Sequence, residues 1–301
     1  MNFGFNEEQE LLRSTARKFF ENECPSEVVR KLMESPEGMS PALWGKLGEQ
    51  GWLGLIYPEP YDGMGLGLVD LVVLMEEMGR AVAPGPYFSA VLLGGLAILL
   101  AGSEAQKKEW LPKIAAGDRR VTLAWMEPSA TLGPQGVTLP AGGKGGQFTL
   151  SGTKLFVPDA HTADAIVVAA RTGAGKASAE GVSLFLVPRG TRGLEVKLLP
   201  TMDQTRKLCE VTLKDVAVGR EALKGTAGAG WDPLSRVLDR ATVALCAEMC
   251  GGAQKVLDMT VEYAKIRQAF GRPIGSYQGV KHKAADMLVD VENSKSITYY
   301  A

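Results

Sequence analysis

Hydrophobic residues recur at helical spacing in the first part of the chain, up to about Arg119. Leu12, Ala16, Phe19 and Phe20 follow this period, which is typical of an amphipathic helix. Three sites carry helix-start signals, either an N-cap with a capping-box partner or an N-cap before proline: Asn6 with Gln9, Ser40 with Pro41, and Ser103 with Gln106. These patterns predict an N-terminal helical domain over residues 1–119.

The pattern changes over residues 120–214, where short stretches rich in β-branched and aromatic residues alternate with glycine-rich turns. Six such stretches predict strands: Arg120–Trp125, Gln147–Val157, Ala165–Ala170, Val182–Val187, Leu194–Leu198 and Leu208–Leu213. Their even spacing, without intervening helical patterns, favours an antiparallel sheet or small barrel over βαβ units. We therefore predict a central β domain over residues 120–214.

Helical spacing returns over residues 215–301. A long pattern runs through Leu234, Val237 and Val243, and a second helix is predicted from about Tyr277 to Ala301. This last helix carries no glycine or proline stop, and a helix of that length needs a neighbour to pack against. We therefore expect a C-terminal helical domain over 215–301 that is an incomplete bundle. The predicted fold class is α+β and multidomain, with helical, β and helical domains in that order.

Composition narrows the classes of function. The chain has 301 residues and a net charge of −1, which argues against the basic face of a nucleic-acid-binding protein. The N-terminus lacks the charged and apolar regions of a secretory signal. The most apolar run, Ala90–Ala101, is shorter than the ~20 residues that cross a bilayer, so it predicts a buried helix and no membrane span.

The four cysteines have irregular spacings and form no CxxC pair. They are interpreted as small buried hydrophobic residues in a reducing compartment, which predicts a cytoplasmic protein. Only two histidines occur, His161 and His282, so no metal site is expected.

Three motifs carry the candidate chemistry. Residues 267–278 read R-x-x-F-G-x-x-I-x-x-x-Q, residues 123–128 read L-A-W-M-E-P, and residues 152–157 read G-T-K-L-F-V. The glycine-rich loop 62–67 could suggest a dinucleotide-binding turn, but no βαβ unit with a following acidic residue accompanies it. The Rossmann interpretation is therefore disfavoured.

Together these motifs resemble the acyl-CoA dehydrogenase family, and the resemblance covers essentially the whole chain in order. It implies FAD-dependent dehydrogenation of an acyl-CoA thioester at Cα–Cβ to the trans-2-enoyl-CoA, with electrons passed to an electron-transfer flavoprotein. No side chain accepts a hydride, so a flavin must supply the electron sink. The resemblance also implies that the flavin ring lies between the β domain and the C-terminal helices.

The resemblance assigns two groups of cofactor-binding residues. The flavin ring is expected against two strand exits, formed by Leu123, Trp125 and Met126 and by Phe156, Val157 and Pro158. The nucleotide part of FAD in a neighbouring subunit is expected to bind Arg267, Phe270 and Gln278. A homodimer or tetramer, or a heteromer with a related subunit, is therefore expected.

The chain departs from the family pattern at several positions. Met126 and Pro158 stand where many members have threonines, and proline has no N–H for the flavin. The loop 129–136 lacks the family's Gly-Ala-Gly-Ser-Asp sequence, which puts phosphate and pantetheine contacts from this loop in doubt.

The catalytic base is the third departure. The family's usual glutamate would lie beyond Ala301, and Ala241 occupies the position where some members carry the base instead. Asp239 is the nearest carboxylate, so it is a candidate base. Asp239 and Arg240 are also candidates for holding substrate.

Two alternatives remain open at this stage. The chain could be a non-catalytic partner subunit in a heteromeric dehydrogenase, or it could be a fragment of a longer protein. An oxidase is not distinguished from a dehydrogenase, and no residue indicates the length or type of the acyl chain.

Overall fold

The computed structural model describes residues 4–143, 146–172 and 179–301, without the Leu223 side chain. The α-helices are α1 (Glu7–Glu23), α2 (Ser26–Glu34), α3 (Pro41–Glu49), α4 (Leu68–Ala81), α5 (Leu96–Ala101), α6 (Glu104–Ala115), α7 (Trp231–Ile266) and α8 (Gln278–Tyr300), and a π-helix spans Phe88–Gly95. The strands are β1 (Val121–Ala124), β2 (Ala141–Gly142), β3 (Phe148–Pro158), β4 (Ala165–Arg171), β5 (Val182–Pro188), β6 (Leu194–Leu198), β7 (Leu208–Val218), β8 (Leu223–Lys224), β9 (Gln268–Ala269) and β10 (Arg272–Pro273).

The chain divides into two compact units. The helical unit comprises the chain up to Arg30, Gly67–Ala83 and Thr242–Ala301. The sheet unit comprises Lys31–Leu66 and Pro84–Ala241.

Close helix packing characterises the helical unit, which contains α1, α4, α8 and the later part of α7. A Cβ atom at Gly79 would overlap the backbone carbonyl of Glu248, and one at Gly251 would overlap that of Glu76. Glycine on both helices therefore allows α4 and α7 to approach backbone to backbone.

Two four-stranded sheets form the centre of the sheet unit, in the orders β1-β4-β5-β8 and β2-β3-β7-β6. Their buried side chains belong to one hydrophobic cluster that includes Val168, Phe185 and Val211. The π-helix packs on β1 at Gly94, where a Cβ atom would overlap the carbonyl of Val121. This packing holds β1, whose exit forms part of the candidate site.

The structure confirms most of the predicted elements. Asn6 and Gln9 form a capping box at α1, Ser103 and Gln106 form another at α6, and the Ser40 hydroxyl accepts a hydrogen bond from the Leu43 amide. All six predicted stretches contain strands. The domain boundaries at 119/120 and 214/215 stay predictions.

One detail of the predicted β domain was wrong. β1 pairs with β4 in parallel, with Val121 opposite Ala165, although the other strand pairs in the described ranges are antiparallel. The chain leaves β1, forms β2 and β3 in the other sheet and re-enters beside β1 in the same direction. The apolar run near Ala90 is the buried π-helix and α5, and none of the described helices is both long and apolar enough to cross a membrane.

Candidate functional site

The two predicted strand exits meet in the sheet unit. The Leu155 amide on β3 donates a hydrogen bond of 3.0 Å to the carbonyl of Met126, just beyond β1. The Thr122 hydroxyl on β1 donates to the carbonyl of Pro158 at 2.7 Å. The residues at these two exits, predicted from separate motifs, therefore form one continuous surface.

A β-bulge shapes the β3 side of this surface. Lys154 pairs with Val211 and Val157 with Cys209, so two residues of β3 stand opposite one residue of β7. Within the bulge, Phe156 has a φ of +54° and a side chain that is 49% exposed. Bulges re-aim side chains near functional sites, and this one turns an aromatic ring towards the surface.

The six predicted residues at the exits divide by exposure. Leu123 and Val157 are each only 1% exposed as whole residues, so they offer almost no surface to a ligand. The others retain side-chain surface: Trp125, Met126, Phe156 and Pro158. A surface of apolar and aromatic side chains beside strand-end backbone suits a flat heteroaromatic ring, so these residues fit a flavin. Their contacts with the ring stay a prediction.

A buried ion pair lies behind this surface. Lys154, which is fully buried, donates to the Glu127 carboxylate at 2.7 Å and to the Trp125 carbonyl at 3.2 Å. The same carboxylate accepts the backbone amides of Thr138 and Leu139, each at 2.9 Å, and the Thr138 hydroxyl. The pair thus ties together β3, the exit of β1 and the segment before β2.

Burial and pairing shift the pKa of each of these two groups in opposite directions. Burial would raise the pKa of Glu127, but the Lys154 ammonium and the hydrogen bonds from Thr138 and Leu139 lower this pKa below its ordinary value. Burial lowers the pKa of Lys154 to about 8, although the carboxylate beside it favours the charged form. The contact between ammonium and carboxylate therefore favours the charged form of both groups.

The sequence interpretation did not identify this pair. The local signal was weak: Lys154 is a buried position of β3, as Leu150 and Val157 are, but buried positions do not alternate regularly along this strand. A buried lysine needs a buried acceptor, and Glu127, three residues beyond the end of β1, supplies it.

A second buried carboxyl, Asp159, directly follows Pro158. Its φ is +52°, and its carboxylate is 2.6 Å from the Ser89 hydroxyl on the π-helix. Burial raises the pKa of Asp159, while Ser89 and the charge of Arg206 oppose that shift. The Asp159 amide is already engaged, since it donates to the carbonyl of Lys207 at 2.9 Å.

The second predicted group lies in the helical unit, on the hairpin formed by β9 and β10. Phe270 and Gly271 both have positive φ, of +52° and +77°, as a type I′ turn requires. The Phe270 ring is 97% exposed, and Arg267 and Gln278 are exposed on either side of the hairpin. The Tyr277 hydroxyl braces the hairpin by donating to the Ala269 carbonyl at 2.9 Å.

The candidate base and substrate residues lie on α7 within the sheet unit. Asp239 is exposed and Arg240 is partly exposed. The buried stripe of this part of α7 runs through Leu234, Val237 and Ala241, and Asp239 lies away from it. The roles of Asp239 and Arg240 stay predictions.

Comparison with known proteins gives three consecutive domain matches. The acyl-CoA dehydrogenase N-terminal domain matches residues 6–118, the middle domain matches 122–216, and the C-terminal domain matches 228–301.

Individual relatives agree with these matches. The chain is 32% identical to mitochondrial isovaleryl-CoA dehydrogenase of Pongo abelii, over 98% of this chain and 71% of the relative. It is 29% identical to the caffeyl-CoA reductase–Etf complex subunit CarC of Acetobacterium woodii, over 99% of this chain and 79% of the relative. Its structure superposes on a chain of the ChsE4–ChsE5 complex from Mycobacterium tuberculosis with a TM-score of 0.87 and 29% identity, covering 99% of this chain and 78% of that one. The chain therefore belongs to the acyl-CoA dehydrogenase family, whose members are FAD-dependent oxidoreductases that act on CH–CH groups.

Proposed function

We propose that this chain oxidises an acyl-CoA thioester at Cα–Cβ to the trans-2-enoyl-CoA and delivers the electrons to an electron-transfer flavoprotein. The observation that carries this proposal is the hydrogen bond from Leu155 to Met126, which joins the two strand exits into one apolar surface. When bound, FAD supplies the acceptor for the hydride that leaves Cβ. The protein's part is to orient the reactants and to exclude water.

In this proposal, the strand-exit site consists of Trp125, Met126, Phe156 and Pro158, which line the flavin ring. Pro158 offers no N–H, and the neighbouring amide of Asp159 is bonded to Lys207. The flavin hydrogen bond that the resemblance implies from this exit would therefore be lost or come from the backbone of Val157. A changed donor set would alter the stabilisation of charge on the ring.

Arg267, Phe270 and Gln278 are proposed to hold the nucleotide part of FAD in a second copy of the chain. The guanidinium of Arg267 is exposed and can bind a pyrophosphate with paired hydrogen bonds. The exposed ring of Phe270 can pack beside it. A homodimer or tetramer follows, because each cofactor would need two protomers.

The electron acceptor and the cellular location are also proposals. The similarity to CarC, which is named as a subunit of a reductase–Etf complex, supports an electron-transfer flavoprotein as partner. All four cysteines are free thiols, as expected in the reducing cytoplasm.

A second candidate function is a non-catalytic subunit that pairs with a related chain. Ala241, which is 2% exposed, occupies the position where some members carry the base, and Asp239 points away from the same stripe. The similarity to a chain of the ChsE4–ChsE5 complex, whose name joins two proteins, supports this candidate. Asp239 remains the proposed base if the chain acts alone.

Reconstitution with FAD tests both candidates. The purified chain would be titrated with FAD. It would then be assayed with acyl-CoAs of several lengths and a dye acceptor, first alone and then together with the related chain encoded by a neighbouring gene. Activity of the chain alone supports the primary proposal, and activity that needs the second chain supports the alternative. A chain that acquires no flavin absorption under either condition contradicts both.

A further inference from the structure

We propose that Lys154 and Glu127 are a positioning pair that holds the backbone of Trp125 and Met126 in the conformation that receives the flavin ring. The inference rests on the proposed function, because it assigns a task to residues behind the proposed strand-exit site. Neither residue presents its charge to the surface, since Lys154 is 0% and Glu127 is 7% exposed.

The Lys154 ammonium binds groups that lie outside its own strand. Lys154 lies on β3, yet its ammonium donates to the Trp125 carbonyl and the Glu127 carboxylate, which both belong to the exit of β1. One side chain thus grips two residues on either side of Met126. The amide of Leu155, the next residue on β3, binds the Met126 carbonyl itself. Three successive residues at the exit are therefore held from β3.

Glu127 is also anchored from the opposite side, by the segment before β2. Its carboxylate accepts two backbone amides and one hydroxyl from Thr138 and Leu139, in addition to Lys154. Leu139 is 3% exposed and belongs to the hydrophobic cluster of the sheet unit. Because the carboxylate is hydrogen-bonded to this core, Lys154 pairs with a partner whose position is fixed from two sides.

A positioning role for the pair is distinct from a contribution to folding stability. Replacing a buried ion pair by apolar residues of similar size is often neutral or stabilising, so folding by itself does not require these charges. Apolar side chains, however, could not bind the Trp125 carbonyl or the amides of Thr138 and Leu139. The pair therefore binds backbone groups that an apolar replacement could not bind. These groups lie directly beneath residues with exposed surface.

The pair acts through geometry and not through its net charge. The ammonium and the carboxylate are 2.7 Å apart and cancel at a distance, so the pair adds little net field to the site. Its loss should therefore change how well the surface fits a ring, seen as affinity and as the visible spectrum of bound FAD. Pre-organised supporting hydrogen bonds have this effect on binding sites generally.

The experiment compares FAD binding with folding in matched variants. The key protein is the double variant Lys154→Met with Glu127→Leu, and the control is Lys214→Met, which breaks an exposed pair with Glu195 at 2.8 Å. The apo forms are titrated with FAD while flavin fluorescence is followed, and their thermal unfolding is measured. We expect the double variant to lose some stability, because the amides of Thr138 and Leu139 lose their acceptor, but less than Glu127→Leu alone, because no ammonium is left unpaired. We expect it to bind FAD at least about tenfold more weakly and to show shifted flavin absorption bands. Lys214→Met should match the wild type in both measurements.

A milder variant covers the case in which the double variant does not fold. Thr138→Val removes one donor to Glu127 but keeps the ion pair, and we expect about threefold weaker FAD binding with a normal unfolding temperature. Unchanged FAD affinity in Thr138→Val and in a folded double variant overturns the inference and leaves the proposed function intact. Affinity losses that merely follow apo stability across the variants also overturn it. A wild-type chain that binds no FAD overturns the proposed function first and this inference with it.

Discussion

The two regions proposed to contact FAD are built in opposite ways. At the strand-exit site, the exposed side chains rest on a buried network in which each charged group has its partner within the sheet unit. On the hairpin of the helical unit, Arg267, Phe270 and Gln278 are exposed, and the ordering contacts are local to the turn. The first region is organised before any ligand arrives. The second has a defined backbone and exposed side chains.

This difference predicts that mutations in the two regions affect different properties. A buried charge that loses its partner keeps its desolvation cost, so damage at the strand-exit site should appear first in stability. An exposed arginine has little folding energy to lose, so damage at the hairpin should appear in cofactor binding.

The largest expected effect comes from removing one member of the buried pair. Glu127→Leu leaves the Lys154 ammonium without its carboxylate and frees the amides of Thr138 and Leu139. We expect the free energy of unfolding to fall by about 3–5 kcal/mol, measured by urea denaturation. Glu195→Leu removes a carboxylate that is 61% exposed and should change the same quantity by less than about 0.5 kcal/mol.

Acidification provides the control for this prediction. The pKa of Glu127 is lowered in the folded protein, so its stabilising contribution is present above the unfolded-state pKa of about 4.3 and is lost as the pH falls through the folded value. The gap in stability between wild type and Glu127→Leu should therefore narrow below about pH 4. A gap that stays constant down to acid unfolding would mean that the carboxylate's charge is not the stabilising element.

A smaller effect, confined to binding, is expected at the hairpin. Arg267→Ala should weaken FAD binding by about 1.5–3 kcal/mol, roughly tenfold to a hundredfold, because a charge-assisted hydrogen bond to phosphate is lost. Its stability should stay within about 0.5 kcal/mol of wild type.

Lys265→Ala is the matched control for Arg267→Ala. Lys265 is a neighbouring cation with 62% exposure that pairs with Glu262 within α7. Equal losses of FAD affinity in the two variants would indicate a general electrostatic effect of the region and would contradict a specific role for Arg267.

The motif names Arg267, Phe270 and Gln278 as candidates by their spacing along the chain. The hairpin that carries them, with Phe270 and Gly271 at its turn, was not predicted from the sequence. The strand exits depend on pairing between distant segments, which no local pattern contains. Leu123, Trp125 and Met126 and residues 156–158 stay predicted candidates, and the bulge that separates exposed Phe156 from buried Val157 depends on the register with β7.

The ion pair was missed for the same physical reason. Lys154 and Glu127 are 27 residues apart, and each has an ordinary local interpretation as a strand or turn residue. The parallel pairing of β1 with β4 was likewise inaccessible, because it depends on how the chain returns from the other sheet. Local periodicity predicts elements, whereas partner choice between sheets is decided by the packing of the whole core.

The smallest expected effect separates backbone from side chain at the turn. Phe270 adopts the left-handed region at φ +52° with its ring 97% exposed, which is unfavourable for a bulky residue. Phe270→Gly relieves that conformation but enlarges the freedom of the unfolded chain, so the two effects partly cancel and stability should change by less than about 1 kcal/mol. If the ring packs beside the nucleotide, FAD affinity should fall by about 0.5–1.5 kcal/mol.

Gly271→Ala is the complementary control, because a Cβ there meets no atom within 4 Å while its φ of +77° disfavours alanine. That variant should lose about 1 kcal/mol of stability by backbone strain alone. If Gly271→Ala weakens FAD binding as much as Phe270→Gly does, the shape of the turn rather than the aromatic ring is what the cofactor requires.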